Sequence, residues 1–149
     1  MNLADLAKRL EPAVRSAGEE IMKIYETGFS QNIKDDGSPV TEADQISEKI
    51  ILGSLQQIVP NIPVVSEENI NSHHSFIQSE EFFLVDPLDG TKEFIKRDGL
   101  GAFTINIGLV KKNTPILGLV FAPALDRLFI GYKNLAYEYS NSLKKRIKS

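Results

Sequence analysis

The sequence predicts an α+β fold, in which helices open the chain and β-strands follow. Apolar residues recur at spacings of three and four between residues 3 and 24, which is the pattern of one buried helix face. A second helical segment begins at Thr41 and ends at Pro60. Residues 62–132 then contain short runs rich in β-branched and aromatic side chains, separated by turn signals. Two helices followed by several adjacent strands are typical of an α+β layer architecture.

Each element has its own signal in the chain. Pro12 lies within the first helical segment and indicates either a kink or the start of a second piece. Residues 31–39 are polar and rich in turn-forming residues, so we expect a mobile loop there. Residues 82–85 are apolar on both faces, which favours a buried central strand that ends at Asp86 and Pro87. The other predicted strands are residues 62–66, 102–110, 116–122 and 127–132.

The composition excludes several classes of function. With 17 Lys and Arg against 20 Asp and Glu, the net charge of -3 gives no electrostatic reason to bind a nucleic-acid polymer. The absence of Cys excludes disulfides, thiolate zinc sites and cysteine nucleophiles. The first residues lack the continuous apolar core of a signal peptide, and no stretch approaches the roughly 18 apolar residues of a membrane span. We therefore expect a cytoplasmic protein without a membrane span.

The chain divides into two parts by its periodicity. Residues 1–133 carry all the predicted helices and strands, and we assign them to one α+β domain. From residue 134 the periodicity is lost and the chain finishes in several Lys and Arg residues. This pattern predicts that residues 134–149 form an irregular basic tail.

The segment with the sequence DPLDGT, residues 86–91, carries the strongest chemical signal. Its two carboxylates, Asp86 and Asp89, are three residues apart directly after the predicted central strand, so they can turn towards a common point. Hard cations such as Mg²⁺ prefer oxygen ligands from carboxylates, carbonyls and water. The carbonyl of Leu88 adds a third oxygen within the same four residues. The spacing therefore predicts a magnesium site after this strand.

Further residues indicate that this site also binds phosphate. Gly90 allows the backbone to approach a ligand closely, and a short helix beginning at Thr91 would offer free N–H groups to a phosphate. Glu67 and Glu68 follow the strand at residues 62–66 and could bring another carboxylate to the same place. Asp44 lies at the start of the second helix. Taken alone, each acid has an ordinary explanation: a turn, a solvated strand end or a helix cap.

Together these segments resemble a known family. DPLDGT at 86–91, SEE at 66–68 and VTEAD at 40–44 are similar to the three linked signatures of the inositol monophosphatase superfamily, and they occur in the expected order. The continuation KEF, residues 92–94, most resembles the bacterial 3′(2′),5′-bisphosphate nucleotidases. The similarity covers residues 34–132. It implies the N-terminal αβ half of an αβαβα sandwich of the inositol monophosphatase and fructose-1,6-bisphosphatase type, with the C-terminal half absent.

The resemblance also implies roles for individual residues, within a metal- and phosphate-binding domain at residues 1–133. The implied Mg²⁺ ligands, the first of them shared by two ions, are Asp86, Glu67, Asp89 and the carbonyl of Leu88. The implied substrate-binding residues are these four together with Gly90 and Thr91. Asp44 and Thr91 would orient the attacking water and help to deprotonate it. Lys34 and Glu68 would belong to a mobile loop or the outer shell of the site.

The activity implied is Mg²⁺-dependent hydrolysis of a small phosphomonoester, with 3′-phosphoadenosine 5′-phosphate giving AMP and phosphate as the first choice. An inositol monophosphatase or a sugar bisphosphatase is the alternative with the same chemistry. A truncated, catalytically silent protein that binds metal or a partner is the second alternative. The family has a later Trp-Asp motif that completes the second metal site, and this chain has no Trp. An isolated half would also expose an apolar sheet face, which a homodimer could cover.

Overall fold

The computed structural model describes residues 2–27, 38–66, 80–96, 101–140 and 143–147 of the 149-residue chain. Two long helices, α1 (Leu3–Thr27) and α2 (Ser38–Ile58), pack against each other and against a β-sheet. Helix α1 continues through Pro12, so no second helix begins there. The two predicted helices are confirmed.

Within the described ranges, seven strands form one sheet in sequence order. The strands are β1 (Val64–Ser66), β2 (Glu81–Asp89), β3 (Thr104–Lys111), β4 (Thr114–Ala122), β5 (Arg127–Tyr132), β6 (Leu135–Ser140) and β7 (Leu143–Arg146). A short helix, α3 (Thr91–Lys96), follows β2. Strand β1 pairs with β2 in parallel, and every later neighbour in the sheet is antiparallel.

The core lies between the helices and one face of the sheet, which we call the inner face. Helix α1 contributes apolar side chains at one-turn intervals, and Leu10, Val14 and Ile21 are completely buried. Alternate strand residues such as Ile105 and Leu119 meet them from the sheet. Full burial of one such side chain stabilises the fold by about 1.5 to 3 kcal/mol. The helical and two-residue periodicities of the sequence therefore converge on the same core.

The prediction of an irregular tail at residues 134–149 is wrong for its described part. Strands β6 and β7 extend the sheet there. Tyr137 and Tyr139 alternate along β6, and the Lys144 ammonium lies 4.2 and 5.8 Å from the centres of their rings. A cation over an aromatic face is favourable, so the basic residues of β7 contribute to pairing. The division at residue 133 therefore does not mark the end of the sheet.

The opposite, outer face of the sheet is partly uncovered. Leu84 and Val120 expose 46% and 37% of their surface there, so the predicted burial of residues 82–85 on both faces is wrong at Leu84. A depression of about 430 Å³ lies beside them and is lined also by Val65, Asp86 and Asn106. The expected apolar sheet face is present at these residues. In the described part of the chain, no helix is both long and apolar enough to cross a membrane.

Candidate active site

Strand β2 does not end at Asp86 and Pro87 as predicted, but continues to Asp89 through a β-bulge. Asp86 pairs with Asn106 and Asp89 pairs with Thr104, so two residues of β2 lie opposite one residue of β3. Proline has no N–H for the ladder and is tolerated at such an irregularity. The bulge, rather than a strand end, is what changes the direction of the chain here.

The bulge places the two acids on the same face of the sheet. Residues three apart in a regular strand point to opposite faces, because side chains alternate with a period of two. The partners of the acids, Thr104 and Asn106, lie two apart on β3 and share one face, where the Asn106 amide donates to the Thr104 hydroxyl at 3.1 Å. Asp86 is half-buried and Asp89 is exposed on that face. The predicted convergence of Asp86 and Asp89 therefore has a structural basis.

The residues between the two acids hold the bulge against the core. Pro87 and Leu88 are both buried, with Leu88 only 3% exposed. The Leu88 N–H donates to Asp86 Oδ1 at 3.3 Å, which fixes the carboxylate close to its own backbone. The buried Leu88 side chain anchors the segment to the core. The Leu88 carbonyl lies within the bulge, where the regular pairing of β2 with β3 is interrupted.

Gly90 is required by the backbone that follows the bulge. Its φ angle is 87°, a region that other residues rarely adopt. A Cβ atom at this position would lie 3.2 Å from Phe103 Cα and 3.3 Å from the Ala102 carbonyl oxygen. The Phe94 N–H donates to the Gly90 carbonyl at 3.0 Å, which opens helix α3 at Thr91. The exposed Thr91 thus stands in the first turn, where backbone N–H groups have no partner within the helix.

A cluster of three aromatic side chains packs around Phe94 of α3. The rings of Tyr25, Phe94 and Phe103 lie with centroids 4.8 to 5.4 Å apart, in tilted and edge-to-face arrangements. Phe94 and Phe103 are completely buried. Aromatic pairs at these distances contribute about 0.5 to 1.5 kcal/mol beyond the burial of their area. The cluster connects α3 to the end of α1.

Helix α2 brings Asp44 and an unpredicted serine to the same region. Asp44 is only 7% exposed, and the helix that carries it contacts both β2 and α3. One turn later the fully buried Ser47 donates its hydroxyl proton to the Pro87 carbonyl at 2.8 Å. The sequence reasoning missed Ser47. The available signal was its position three residues after Asp44, which places both on one side of the helix.

The parallel pairing of β1 and β2 brings a further predicted segment to this end of the sheet. Ser66 pairs with Val85, the residue before Asp86, so the last residue of β1 lies beside the start of the bulge. The buried Ser66 hydroxyl donates to Glu48 Oε2 of α2 at 2.6 Å. Glu67, Glu68 and Lys34 themselves lie outside the described residues, and their roles stay predictions.

The match to known proteins agrees with this arrangement. Residues 2–148 match the Inositol monophosphatase family. The chain belongs to this family. The predicted superfamily is confirmed, and the α+β fold with it.

Two curated members of the family are similar to this chain over most of its length. The 3′(2′),5′-bisphosphate nucleotidase CysQ of Salmonella typhimurium is 40% identical over 135 residues, which are 89% of this chain and 54% of the relative. The CysQ of Buchnera aphidicola is 41% identical over 136 residues, which are 89% of this chain and 51% of the relative. This chain therefore spans about half the length of the curated relatives it matches.

Solved structures of inositol monophosphatase family members show the same fold. CysQ from Bacteroides thetaiotaomicron has a TM-score of 0.81 at 36% identity, over 92% of this chain and 49% of that one. Inositol monophosphatase II from Staphylococcus aureus has a TM-score of 0.74 at 26% identity, over 90% of this chain and 49% of that one. The coverage is consistent with the predicted half of the family fold.

The donors of the bulge fit the hard cation expected for an inositol monophosphatase family member. Asp86, Asp89 and the Leu88 carbonyl offer only oxygen, and the chain has no Cys to favour a softer metal. Among the described residues no three Asp, Glu or His side chains are grouped as a complete metal site. The third carboxylate of the expected set is Glu67, which lies outside those residues. The three described members of the set, Asp86, Asp89 and the Leu88 carbonyl, therefore fit a hard cation in their chemistry.

Proposed function

We propose that this chain carries the metal- and phosphate-binding part of a Mg²⁺-dependent phosphomonoesterase, most nearly a 3′(2′),5′-bisphosphate nucleotidase. The observation that supports this most directly is the bulge of β2. It places Asp86 and Asp89 on one face although they are three residues apart, and Gly90 and Thr91 follow at once. A turn that served only to reverse the chain would not need two acids on a common face.

Four residues would hold the cofactor: Glu67, Asp86, Asp89 and, through its carbonyl, Leu88. Mg²⁺ bound there would neutralise the charge of the phosphoryl group and lower the pKa of a bound water. The bulge supplies the carboxylates on a rigid strand, since Pro87 and Leu88 are buried in the core. Rigid placement matters because phosphoryl transfer depends mainly on positioning and on electrostatic stabilisation.

The remaining proposed site residues would act on the substrate and on water. Gly90 allows the chain to enter α3 through a positive φ, and the free N–H groups of the first turn, which begins at Thr91, would donate to a phosphate oxygen. The exposed hydroxyl of Thr91 would orient the attacking water. Asp44, buried in a helix that contacts α3, would accept the proton from the Thr91 hydroxyl as water is activated.

The substrate class follows from the similarity to the CysQ proteins, which are named as 3′(2′),5′-bisphosphate nucleotidases. We expect 3′-phosphoadenosine 5′-phosphate to be preferred over inositol 1-phosphate and fructose 1,6-bisphosphate. Phosphate release from the three compounds at equal concentration, with and without Mg²⁺, tests the proposal, and Asp86→Asn is the control. Release that is independent of Mg²⁺, or unchanged in Asp86→Asn, would contradict it.

A second candidate is a metal-binding protein without turnover. Relatives contain about as many further residues as the match covers, and this chain lacks the Trp-Asp motif expected among them. Phosphate release by this chain alone, compared with release after addition of the separately purified C-terminal half of the Salmonella CysQ, distinguishes the two candidates. Mg²⁺ binding without turnover in either mixture would favour the silent protein.

A further inference from the structure

Helix α2 holds the ends of both strands that lead into the proposed metal site. Ser47 donates to the Pro87 carbonyl of β2, and its neighbour Glu48 accepts from the Ser66 hydroxyl of β1. Ser47 and Ser66 are both completely buried. The two strands are therefore fastened to two consecutive residues of one rigid helix, three and four residues after Asp44.

The hydrogen bond from Ser47 reaches β2 within the bulge, where the strand is not held by regular pairing with β3. Regular pairing of β2 with β3 is interrupted between Asp86 and Asp89, and Pro87 contributes no N–H to it. A buried carbonyl needs a hydrogen-bond donor. The Ser47 hydroxyl supplies one from the helix side at 2.8 Å, and so sets the depth at which the bulge lies.

The hydrogen bond from Ser66 to Glu48 holds the end of β1 against helix α2. Strand β1 is only three residues long and is the first strand in the sheet order, so little pairing fixes its end. Ser66 is its last residue and directly precedes Glu67. The 2.6 Å bond to Glu48 joins that end to the helix that also holds the bulge.

We propose that Ser47 and Glu48 are positioning residues of the metal site: Ser47 sets the position of the bulge that carries Asp86 and Asp89, and Glu48 sets the position of Ser66 at the end of β1. This inference rests on the proposed function, because it assumes that these carboxylates bind Mg²⁺. Hydrogen-bonding partners of metal ligands typically change metal affinity by roughly 10 to 100-fold when they are removed. Ser47 bonds to the Pro87 backbone between the ligands rather than to a ligand itself. We therefore expect its removal to change the affinity by an amount near the lower end of that range.

Calorimetric titration with Mg²⁺ tests the proposal in the chain as it is. Ser47→Ala should raise the Kd for Mg²⁺ by roughly 10-fold, and Ser47→Thr, which restores a hydroxyl, should recover most of the loss. Ser54→Ala is the matched control, since Ser54 lies on the same side of α2 two turns further from the bulge. Amide hydrogen exchange at Leu88 and Asp89 should become faster in Ser47→Ala and remain unchanged in Ser54→Ala.

Two variants of Glu48 separate positioning from charge. Glu48→Gln keeps an acceptor for the Ser66 hydroxyl and removes the negative charge, whereas Glu48→Ala removes both. If Glu48 acts by positioning, the Glu48→Gln variant should bind Mg²⁺ nearly as well as the unaltered chain, and the Glu48→Ala variant should bind it more weakly. Equal losses in the two variants would show a charge effect and overturn the role of Glu48.

The outcomes distinguish this inference from the proposed function. If the unaltered chain binds no Mg²⁺, or if Asp86→Asn binds it equally well, both proposals are wrong. If Asp86→Asn weakens binding and Ser47→Ala does not, the metal site stands and the positioning role of Ser47 is overturned. A Ser47→Ala variant with a lower melting temperature but an unchanged Kd would likewise overturn that role, because its effect would then be on stability alone.

Discussion

Replacement of Gly90 by alanine is the sharpest test of the structure around the candidate site. Gly90 combines a φ of 87° with close backbone neighbours on the side where a Cβ would stand. Gly53 is the matched control, because it lies exposed in helix α2 and a Cβ there would meet no atom within 4 Å. The same chemical change is therefore made at a position that excludes a side chain and at a position that accommodates one.

The two substitutions should change stability in opposite directions. A left-handed backbone costs a non-glycine residue about 1 to 2 kcal/mol. The contacts of 3.2 Å with Phe103 Cα and 3.3 Å with the Ala102 oxygen add to this cost, because backbone atoms cannot rotate away. We expect Gly90→Ala to lose about 2 to 3 kcal/mol in total. Gly53→Ala should gain about 0.5 to 1 kcal/mol, since alanine loses less backbone entropy in a helix.

Urea denaturation followed by circular dichroism measures both free energies, and thermal unfolding supplies an independent check. A chain of this length shifts its Tm by roughly 2 to 4 °C per kcal/mol, so Gly90→Ala should melt roughly 4 to 12 °C lower. The slope of free energy against urea should be the same in all three proteins, since the area exposed on unfolding does not change. A Gly90→Ala protein as stable as the unaltered chain would refute the described backbone at the start of α3.

Three further predictions concern the acids and the outer face. Asp86→Asn should strongly weaken Mg²⁺ binding in calorimetry, because Asp86 is proposed to be shared by two ions; an unchanged affinity would remove the metal assignment. Arg127 donates to Glu138 at 2.7 Å and holds the pKa of that carboxyl below its ordinary value. The ionised Glu138 carboxylate therefore stabilises the fold above the pKa of the unfolded chain, near 4.5. This contribution is lost as the pH falls through the lowered pKa of the folded state. Glu138→Gln should accordingly lower the Tm more at pH 7 than at pH 3. Light scattering of the chain should show a mass above 16.6 kDa, and Leu84→Lys on the outer face should reduce it; a monomer before substitution would contradict this.

The helices and the central strands could be predicted because their signals are long and repeated. Helix α1 carries a buried residue at nearly every turn, and the strands of the sheet centre alternate or run continuously apolar. The end of β2 could not be predicted in the same way. Proline normally stops a strand, and only the pairing with β3 shows that a bulge accommodates Pro87. Tertiary pairing, which has no local signature, decided this boundary.

The structure of residues 134–149 was predicted wrongly because their charged residues obscured an alternating apolar pattern that is typical of a strand. Leu135, Tyr137 and Tyr139 recur at every second residue, which is a strand pattern, but Glu138 and the later lysines favoured a solvated segment. In the sheet, Glu138 is satisfied by Arg127 and Lys144 by the tyrosine rings. A charged residue in an edge region thus indicated pairing partners rather than disorder.

The sequence suggested residues for the candidate site but not the hydrogen bonds that hold its segments in place. Both acid segments were predicted to follow strands, and the pairing of Ser66 with Val85 shows that the end of β1 lies beside Asp86. Ser47 and Glu48 have no motif of their own, since a serine and a glutamate in a polar helix segment are common. Their importance follows only from the hydrogen bonds that they make to residues 40 and 18 positions away.

The spacing of the two acids follows from what the intervening residues must do. Acids two residues apart in a regular strand would also share a face, with one buried residue between them. The chain instead uses three, and the bulge absorbs the extra residue so that Asp86 and Asp89 still share a face. Both residues between them are then buried: Pro87, whose carbonyl is held by Ser47, and Leu88, whose N–H is held by Asp86. The additional residue thus fixes the segment to the core at two points, which a regular strand with one residue between its acids could not do.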